Sequence, residues 1–185
     1  IAQEAGLRML LEIDRLSELY GFRYFLDAGT LLGAVRHQGF IPWDDDVDVA
    51  MPREDFEIFL KHVRDLSSEF ELVMPEGYND GKAFFDFTPR IIYKRSRRHS
   101  SDEETAFYGG KLNHLWTDIF ILDNIPDCPV KDRVTRFLQK CIYGMAMRRR
   151  YGIDYGKYGA LDRLRVGVLS AAGRLVSLKR LIAMQ

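Results

Sequence analysis

The chain opens with apolar residues at three- and four-residue spacing, which is the pattern of one buried face of a helix. This pattern covers residues 2–20, and its apolar positions are Met9, Leu10, Ile13, Leu16 and Tyr20. Gly21 follows and suits a helix end, because glycine adopts the left-handed conformation that closes many helices. We therefore predict a first helix over residues 2–20 and an aromatic-rich strand over residues 22–28.

Short apolar runs predict the remaining strands, and longer periodic stretches predict the remaining helices. Pro52 favours a helix start, because proline suits the first turn and the acidic residues just after it complement the helix dipole. We predict strands at 47–51, 70–74, 84–93 and 116–122, a polar loop at 95–110, and helices at 30–37, 52–66, 130–150 and 159–183.

The order of these elements, with strands and helices mixed first and helices alone afterwards, predicts an α/β or α+β fold. We divide it into a core at residues 1–127 and a helical C-terminal part at residues 128–185. The 185 residues suffice to bury a core, and they contain no apolar run of the roughly 18–20 residues that a membrane span needs. Because the chain starts at Ile1 and ends inside a predicted helix, we expect it to be part of a longer protein.

Charge is distributed unevenly, although the net charge is zero. Residues 124–185 contain 13 Lys and Arg against 4 Asp and Glu, which leaves 14 against 23 for residues 1–123. The acidic part favours cation binding and the basic part an anionic partner, although basic residues also commonly solvate helix surfaces. The last predicted helix is amphipathic, and its apolar side comprises Leu161, Leu164, Val168, Leu175 and Ile182. Such a helix can pack on the protein's own core or lie on an anionic membrane, and we favour packing on the core.

The two cysteines, Cys128 and Cys141, form neither a disulfide framework nor a zinc motif. Reduced thiols and the lack of a visible signal peptide favour a cytoplasmic location, with the inner face of the membrane as an alternative. Neutral net charge and the absence of a recognition motif argue against a nucleic-acid partner.

The most informative segment is acidic and runs Trp43-Asp44-Asp45-Asp46-Val47-Asp48-Val49. Side chains alternate along a strand, so Asp46 and Asp48 point to the same face and repel one another. A hard divalent cation, Mg²⁺ or Mn²⁺, resolves this repulsion, and Asp44 and Asp45 either assist or are simply solvated. A calcium loop is disfavoured because Val49 stands where such a loop requires glycine, and a purely structural acidic turn is the other alternative.

A second candidate site lies upstream, where Gly29 and Thr30 join a predicted strand to a predicted helix. Free backbone N–H groups and the helix dipole bind anions at such a junction, and the Thr30 hydroxyl can reach a phosphate oxygen. Arg36 is a candidate phosphate clamp, whereas His37 is equally well explained as an exposed residue at a helix end.

Two stretches of the sequence resemble the LicD/fukutin family. The first is DAGTLLGAVRHQGFIPWDDDVDVAMPREDF, which starts at Asp27, and the second, weaker one is HLWTDIFILDNIPD, which starts at His114. The resemblance implies a nucleotidyltransferase-like mixed sheet with flanking helices. It also implies transfer of a phospho-alcohol, such as phosphocholine or ribitol phosphate, from its CDP derivative to a glycan or cell-surface polysaccharide hydroxyl, with release of CMP. CDP-choline is the expected donor.

The resemblance also implies roles for individual residues. Asp46 and Asp48 correspond to the metal-binding pair, Asp118 to a third carboxylate, and Gly29 and Thr30 to the turn that holds the donor phosphates. No position in the two stretches departs from the family's core pattern, which favours an active enzyme.

Several alternatives remain open from the residues themselves. Asp118 either accepts the proton of the acceptor hydroxyl, completes the metal shell, or is a hydrogen-bonded structural group. Trp43 or Tyr108 could contribute to a cage for a quaternary ammonium, although most aromatic residues lie in cores. The alternative functions are a nucleotidyltransferase that releases pyrophosphate from a nucleoside triphosphate and a non-catalytic module that binds nucleotides or glycans.

Overall fold

The structure is a computed structural model, and it describes residues 2–98 and 102–185. The chain divides into two compact units. Unit 1 takes in Ile1–Met74, Thr88–Ser101 and Lys111–Asp123, and unit 2 takes in Pro75–Phe87, Asp102–Gly110 and Asn124–Gln185. The division into residues 1–127 and 128–185 stays a prediction about domains.

Unit 1 is a mixed five-stranded sheet with helices, as the sequence predicted. Its helices are α1 (Ala2–Tyr20), α2 (Ala28–His37) and α3 (Arg53–Lys61), and its strands are β1 (Phe25–Leu26), β2 (Val47–Pro52), β3 (Phe70–Val73), β4 (Arg90–Tyr93) and β5 (Leu115–Leu122). The strand order is β1-β2-β5-β4-β3, with β2 and β5 parallel and the other neighbours antiparallel. Two strands are shorter than predicted, because only Phe25–Leu26 of 22–28 and Arg90–Tyr93 of 84–93 pair with a neighbour.

The core of unit 1 explains why the first helix could be predicted. Met9, Ile13 and Leu16 of α1 are at most 1% exposed and form one cluster with apolar residues of α3 and the sheet. Burying side chains of this size stabilises a fold by roughly 1.5–3 kcal/mol each. The cluster fixes β2 and β5 in place, and these two strands carry the carboxylates of the candidate site.

The helices described in unit 2 are α4 (Asp102–Phe107), α5 (Pro129–Ala146), α6 (Ala160–Ala172) and α7 (Leu178–Ala183). The prediction of a loop throughout 95–110 is wrong where α4 forms. The prediction of one helix over 159–183 is also wrong, because the helix stops at Ala172 and Ser177 caps a new one. The Ser177 side chain accepts a hydrogen bond from the Arg180 N–H, which is the usual way in which a serine starts a helix.

The outer surface of unit 2 differs from the expected packing. Leu161, Leu164, Val168 and Leu175 are 60–89% exposed, so the apolar side of the predicted last helix does not pack on the core at these positions. The core of this unit forms instead around Phe84, Ile142 and Leu181. In the described part of the chain, every helix is too short or too polar to cross a membrane.

Candidate active site

Two carboxylates lie opposite one another on the parallel strands β2 and β5. The register of this pair aligns Asp48 with Asp118. Asp46 lies two residues before Asp48, in the loop that leads into β2. The structure thus brings together the three carboxylates that the sequence predicted as catalytic.

The loop before β2 adds two further acids to this group. Asp44, Asp45 and Asp46 each place a carboxylate oxygen within 4.8 Å of the others. The Gln3 side chain of α1 holds the loop, since its Nε2 donates to the carbonyl oxygens of Ile41 at 2.9 Å and Asp44 at 3.1 Å. The acidic cluster is therefore supported by the rigid first helix rather than by the loop alone.

Burial and mutual repulsion change the electrostatics of this cluster. Burial, reinforced by the negative charges of Asp46, Asp118, Asp27 and Asp44, raises the pKa of Asp48 to about 6. Burial and a hydrogen bond with the neighbouring carboxylate of Asp44 also raise the pKa of Asp46. The raised pKa values mean that ionising Asp46 and Asp48 is unfavourable in this environment. A nearby cation would lower both pKa values, because it would stabilise the ionised carboxylates.

The donor set fits a hard divalent cation. It consists wholly of carboxylate oxygens, which are the ligands that Mg²⁺ and Mn²⁺ prefer. Asp44, Asp45 and Asp46 already lie close enough to share an ion, and the half-buried Asp48 follows two residues after Asp46. These residues would hold the cation, and the metal role of each stays a prediction.

Asp118 has protein partners of its own. Its Oδ1 accepts a hydrogen bond from Arg90 Nε at 2.5 Å, and its Oδ2 accepts one from Trp116 Nε1 at 3.2 Å. Arg90 lies on β4 directly opposite Asp118 and is only 4% exposed. A carboxylate offers about four lone-pair positions, so these bonds are compatible with a contact to a substrate or a cation.

Thr30 and Gly29 contact the acidic residues directly. The Thr30 hydroxyl is buried and accepts a hydrogen bond from the Asp48 N–H at 3.0 Å. A Cβ at Gly29 would lie 2.8 Å from Asp44 Oδ2, so a side chain at this position would collide with the acidic loop. Both residues therefore shape the site, and their predicted contact with donor phosphates stays a prediction.

Two other predicted binding residues lie at the surface. Arg36 is exposed near the far end of α2, seven residues and about 10 Å along the axis from Gly29, and its Nε donates to His37 Nε2 at 3.0 Å. Trp43 is 80% exposed beside Asp44, so its indole is open to a ligand. Tyr108 is 1% exposed and its hydroxyl accepts a hydrogen bond from the Tyr151 N–H, which rules out its ring as a cage wall.

Sequence reasoning missed Gln3, Arg90 and the arrangement around Trp116. Arg90 belongs to a different strand from Asp118 and is 28 residues away in sequence, so no local pattern connects them. Gln3 lies within a helical stripe and carries no signal of its contact with the acidic loop.

Comparisons with known proteins identify the family to which this sequence is similar. Residues 21–140 match the family model described as LicD/FKTN/FKRP, nucleotidyltransferase domain. The chain is 31% identical over 129 residues to the lipopolysaccharide cholinephosphotransferase LicD of Haemophilus influenzae, an alignment that covers 66% of this chain. It is 49% identical over 53 residues, or 26% of this chain, to the human ribitol 5-phosphate transferase FKRP.

The chain spans less than half the length of these relatives. The matched regions cover 43% of the Haemophilus protein and 11% of human FKRP. A third relative, an uncharacterized protein of Rickettsia typhi named RT0683, is 61% identical over 48 residues, which cover 26% of this chain and 16% of that protein.

Proposed function

The chain belongs to the LicD/FKTN/FKRP nucleotidyltransferase-domain family, and from that premise we propose that it transfers a phospho-alcohol from a CDP-alcohol to a glycan hydroxyl. The observation that carries the proposal is the group of carboxylates around Asp46, Asp48 and Asp118, whose burial and mutual repulsion a bound cation would offset. The names of two relatives, a cholinephosphotransferase and a ribitol 5-phosphate transferase, support the reaction class. CDP-choline is the first donor to test.

The proposed reaction is a displacement at phosphorus. The acceptor oxygen forms a bond to the phosphorus that carries the alcohol, and the bond from that phosphorus to the CMP oxygen breaks. The electron pair of the broken bond stays on CMP, and the acceptor proton passes to a carboxylate. Such transfers depend mainly on alignment and charge stabilisation.

We assign the acidic residues to these two tasks. The acids of the loop, together with Asp48, would hold the cation on the side of the donor diphosphate. A bound Mg²⁺ or Mn²⁺ would neutralise charge on the diphosphate. Asp118 receives the acceptor proton or adds one oxygen to the cation shell, and the hydrogen bonds from Arg90 and Trp116 fix its orientation.

The test is product analysis with a panel of donors. CDP-choline, CDP-ribitol and CDP-glycerol are each incubated with the chain and a polysaccharide acceptor, with and without Mg²⁺, and CMP is quantified. We expect cation-dependent CMP release with one CDP-alcohol and its loss in Asp46→Asn. Pyrophosphate release from a nucleoside triphosphate would support the nucleotidyltransferase alternative, and binding without turnover would support the non-catalytic module.

We also propose that unit 2 contacts an anionic membrane surface. Helices α5 and α6 expose apolar and basic side chains together, and we call this surface the basic apolar face. Its apolar residues, which are 51–73% exposed, are Val130, Val134, Phe137, Leu161, Leu164 and Val168. Its exposed basic residues are Lys131, Arg133, Arg136, Lys140, Arg163 and Arg165. Apolar side chains flanked by cations match the boundary between lipid tails and anionic headgroups. Such contact would bring the enzyme to a lipid-linked glycan acceptor.

A further inference from the structure

The indole ring of Trp116 lies beside the candidate active site, and two arginine side chains lie close to it. Trp116 donates a hydrogen bond to Asp118 Oδ2, which places its ring next to the β2–β5 carboxylates. The guanidinium carbons of Arg90 and Arg98 lie 5.0 and 4.2 Å from the centre of this ring. Both distances fall within the roughly 6 Å over which an aromatic ring attracts a cation.

The backbone around Arg98 is held in place as well. The Arg98 N–H donates to the Asn113 carbonyl at 2.9 Å, and the Ser96 hydroxyl accepts from the Leu115 N–H at 2.7 Å. These bonds fasten the segment before Arg98 to the start of β5. Arg98 is half-buried, its main chain is held by these hydrogen bonds, and its guanidinium lies against the Trp116 ring.

The two arginines differ in what their charges do. Arg90 is buried and donates to Asp118, so it balances a protein carboxylate. In the described part of the chain, the Arg98 guanidinium donates no hydrogen bond and joins no salt bridge. Its charge nevertheless reaches the acidic loop, where it acts to lower the pKa of Asp46 against the larger effects of burial and Asp44.

We propose that Arg98, held over Trp116 beside the candidate active site, binds the diphosphate of the donor. A planar guanidinium with five donors matches the oxygens of a phosphate group in a paired arrangement. A cation on the carboxylates and a guanidinium on the indole would together enclose the diphosphate. The inference rests on the proposed function for the identity of the donor, but its chemistry requires only a diphosphate.

The experiment is calorimetric titration of the chain with inorganic pyrophosphate and, separately, with CDP-choline, both in the presence of Mg²⁺. The variants are Arg98→Ala, Arg98→Lys and the control Arg97→Ala, which removes the exposed neighbouring charge. We expect Arg98→Ala to weaken both ligands by about tenfold to a hundredfold, as expected for the loss of a hydrogen bond to a charged group. Arg98→Lys should restore only part of this loss, and Arg97→Ala should bind as the wild type does.

The outcomes separate this inference from the proposed function. Equal binding of pyrophosphate by the wild type and Arg98→Ala overturns the inference, whatever CDP-choline does. Arg98-dependent binding of pyrophosphate without binding of CDP-choline supports the inference and counts against the proposed donor. Failure of the wild type to bind either ligand overturns both. Unchanged thermal unfolding of Arg98→Ala would confirm that the variant reports binding rather than folding.

Discussion

At the scale of single residues, Asp48 is the centre of the site because every nearby acid acts on it. Burial raises the pKa of Asp48, the negative charges of four other aspartates raise this pKa further, and the Asp48 N–H donates to the Thr30 hydroxyl. A charged side chain that destabilises the fold, and yet is held in place by specific contacts, is typical of a functional site. Removal of its charge should therefore lower activity without lowering stability.

The first prediction concerns Asp48→Asn, which keeps the side-chain shape and removes the charge. We expect CMP release to fall at least about a hundredfold, since one carboxylate of the cation site is lost. Stability should stay constant or rise by about 0.5–2 kcal/mol, because the repulsion among the acids is relieved. Product assays and urea denaturation measure the two effects, and full activity in this variant would contradict the site assignment.

The second prediction concerns Thr30→Val, which keeps the branched shape and removes the hydroxyl. The Asp48 N–H would lose its partner, and an unsatisfied buried donor costs about 1–3 kcal/mol. Chemical denaturation should show this loss, and Thr30→Ser, which keeps the hydroxyl, should recover most of it. If both variants were equally destabilised, the methyl group rather than the hydrogen bond would be the important feature.

The third prediction concerns the buried Asp55, which lies away from the acidic cluster on α3. Burial acts to raise the pKa of Asp55, but three hydrogen bonds and the charge of Arg23 outweigh it and lower this pKa. A carboxylate with a lowered pKa stabilises the fold above its unfolded pKa of about 4, and this contribution is lost as pH falls through the folded pKa.

Asp55→Asn should therefore cost about 1–3 kcal/mol at pH 7 and much less at about pH 3. Urea denaturation at both pH values measures the difference. Glu54→Gln is the matched control, since Glu54 is the exposed neighbour in the same helical turn. A loss of equal size at both pH values would show that charge is not the cause.

At the scale of elements, the helices and the central strands could be predicted because each has its own local periodicity. Helices α1 and α2 and strands β2 and β5 follow their apolar patterns closely. Three carboxylates of the site could be placed as well, because two share a strand pattern and the third lies in a second apolar run. The pairing of β4 with β5 could not be predicted from the sequence, since it depends on packing between distant segments.

The break between α6 and α7 shows the same limit of local patterns. The apolar spacing continues through residues 173–177, but a Cβ at Gly173 would lie 2.1 Å from the Met145 carbonyl oxygen. The close approach of α5 to this glycine is a tertiary contact, which the periodicity of one helix does not report. Helix α6 ends at Ala172, and Ser177 caps the start of α7.

The fourth prediction tests this contact with two glycine variants. Gly173→Ala should destabilise the protein by about 1–3 kcal/mol, because backbone atoms of α5 must move to admit the methyl group. Gly167→Ala, within α6, should stabilise it by about 0.4–1 kcal/mol, since a Cβ there meets no other atom within 4 Å. Thermal unfolding compares the two, and equal effects would contradict the close approach.

At the scale of the whole molecule, the division of charge is the feature with the widest consequence. The acidic first part carries the carboxylates of the proposed cation site, and the basic second part carries the basic apolar face of unit 2. The charge division was evident from the sequence. The exposure of the apolar residues was not, because an amphipathic stripe looks the same whether it faces a core or a surface.

The fifth prediction concerns binding to vesicles that contain anionic lipid. We expect the chain to sediment with such vesicles at low ionic strength and to be released by salt, since screening weakens surface charge attraction. Arg136→Glu with Arg165→Glu should reduce binding by about thirtyfold or more, because each basic residue near an anionic surface contributes roughly 1 kcal/mol. Lys61→Glu, an exposed charge reversal in unit 1, should leave binding unchanged.

Salt-resistant binding, or equal loss in all charge variants, would contradict an electrostatic contact through the basic apolar face. Phe137→Ser separates the apolar contribution, because it removes a 65% exposed ring without changing charge. Absence of binding at low salt would leave this face to another partner and would remove the membrane from the proposal.

The row Asp48, Asp118 and Arg90 runs across three adjacent strands, and this arrangement has a consequence for folding. A shift of β4 by one residue would turn Arg90 to the opposite face of the sheet and leave the Asp118 carboxylate opposite an apolar neighbour. The misaligned sheet would contain an unbalanced negative charge next to Asp48, so it would be disfavoured relative to the correct one. The carboxylates of the candidate site therefore also favour the correct alignment of β4 with β5.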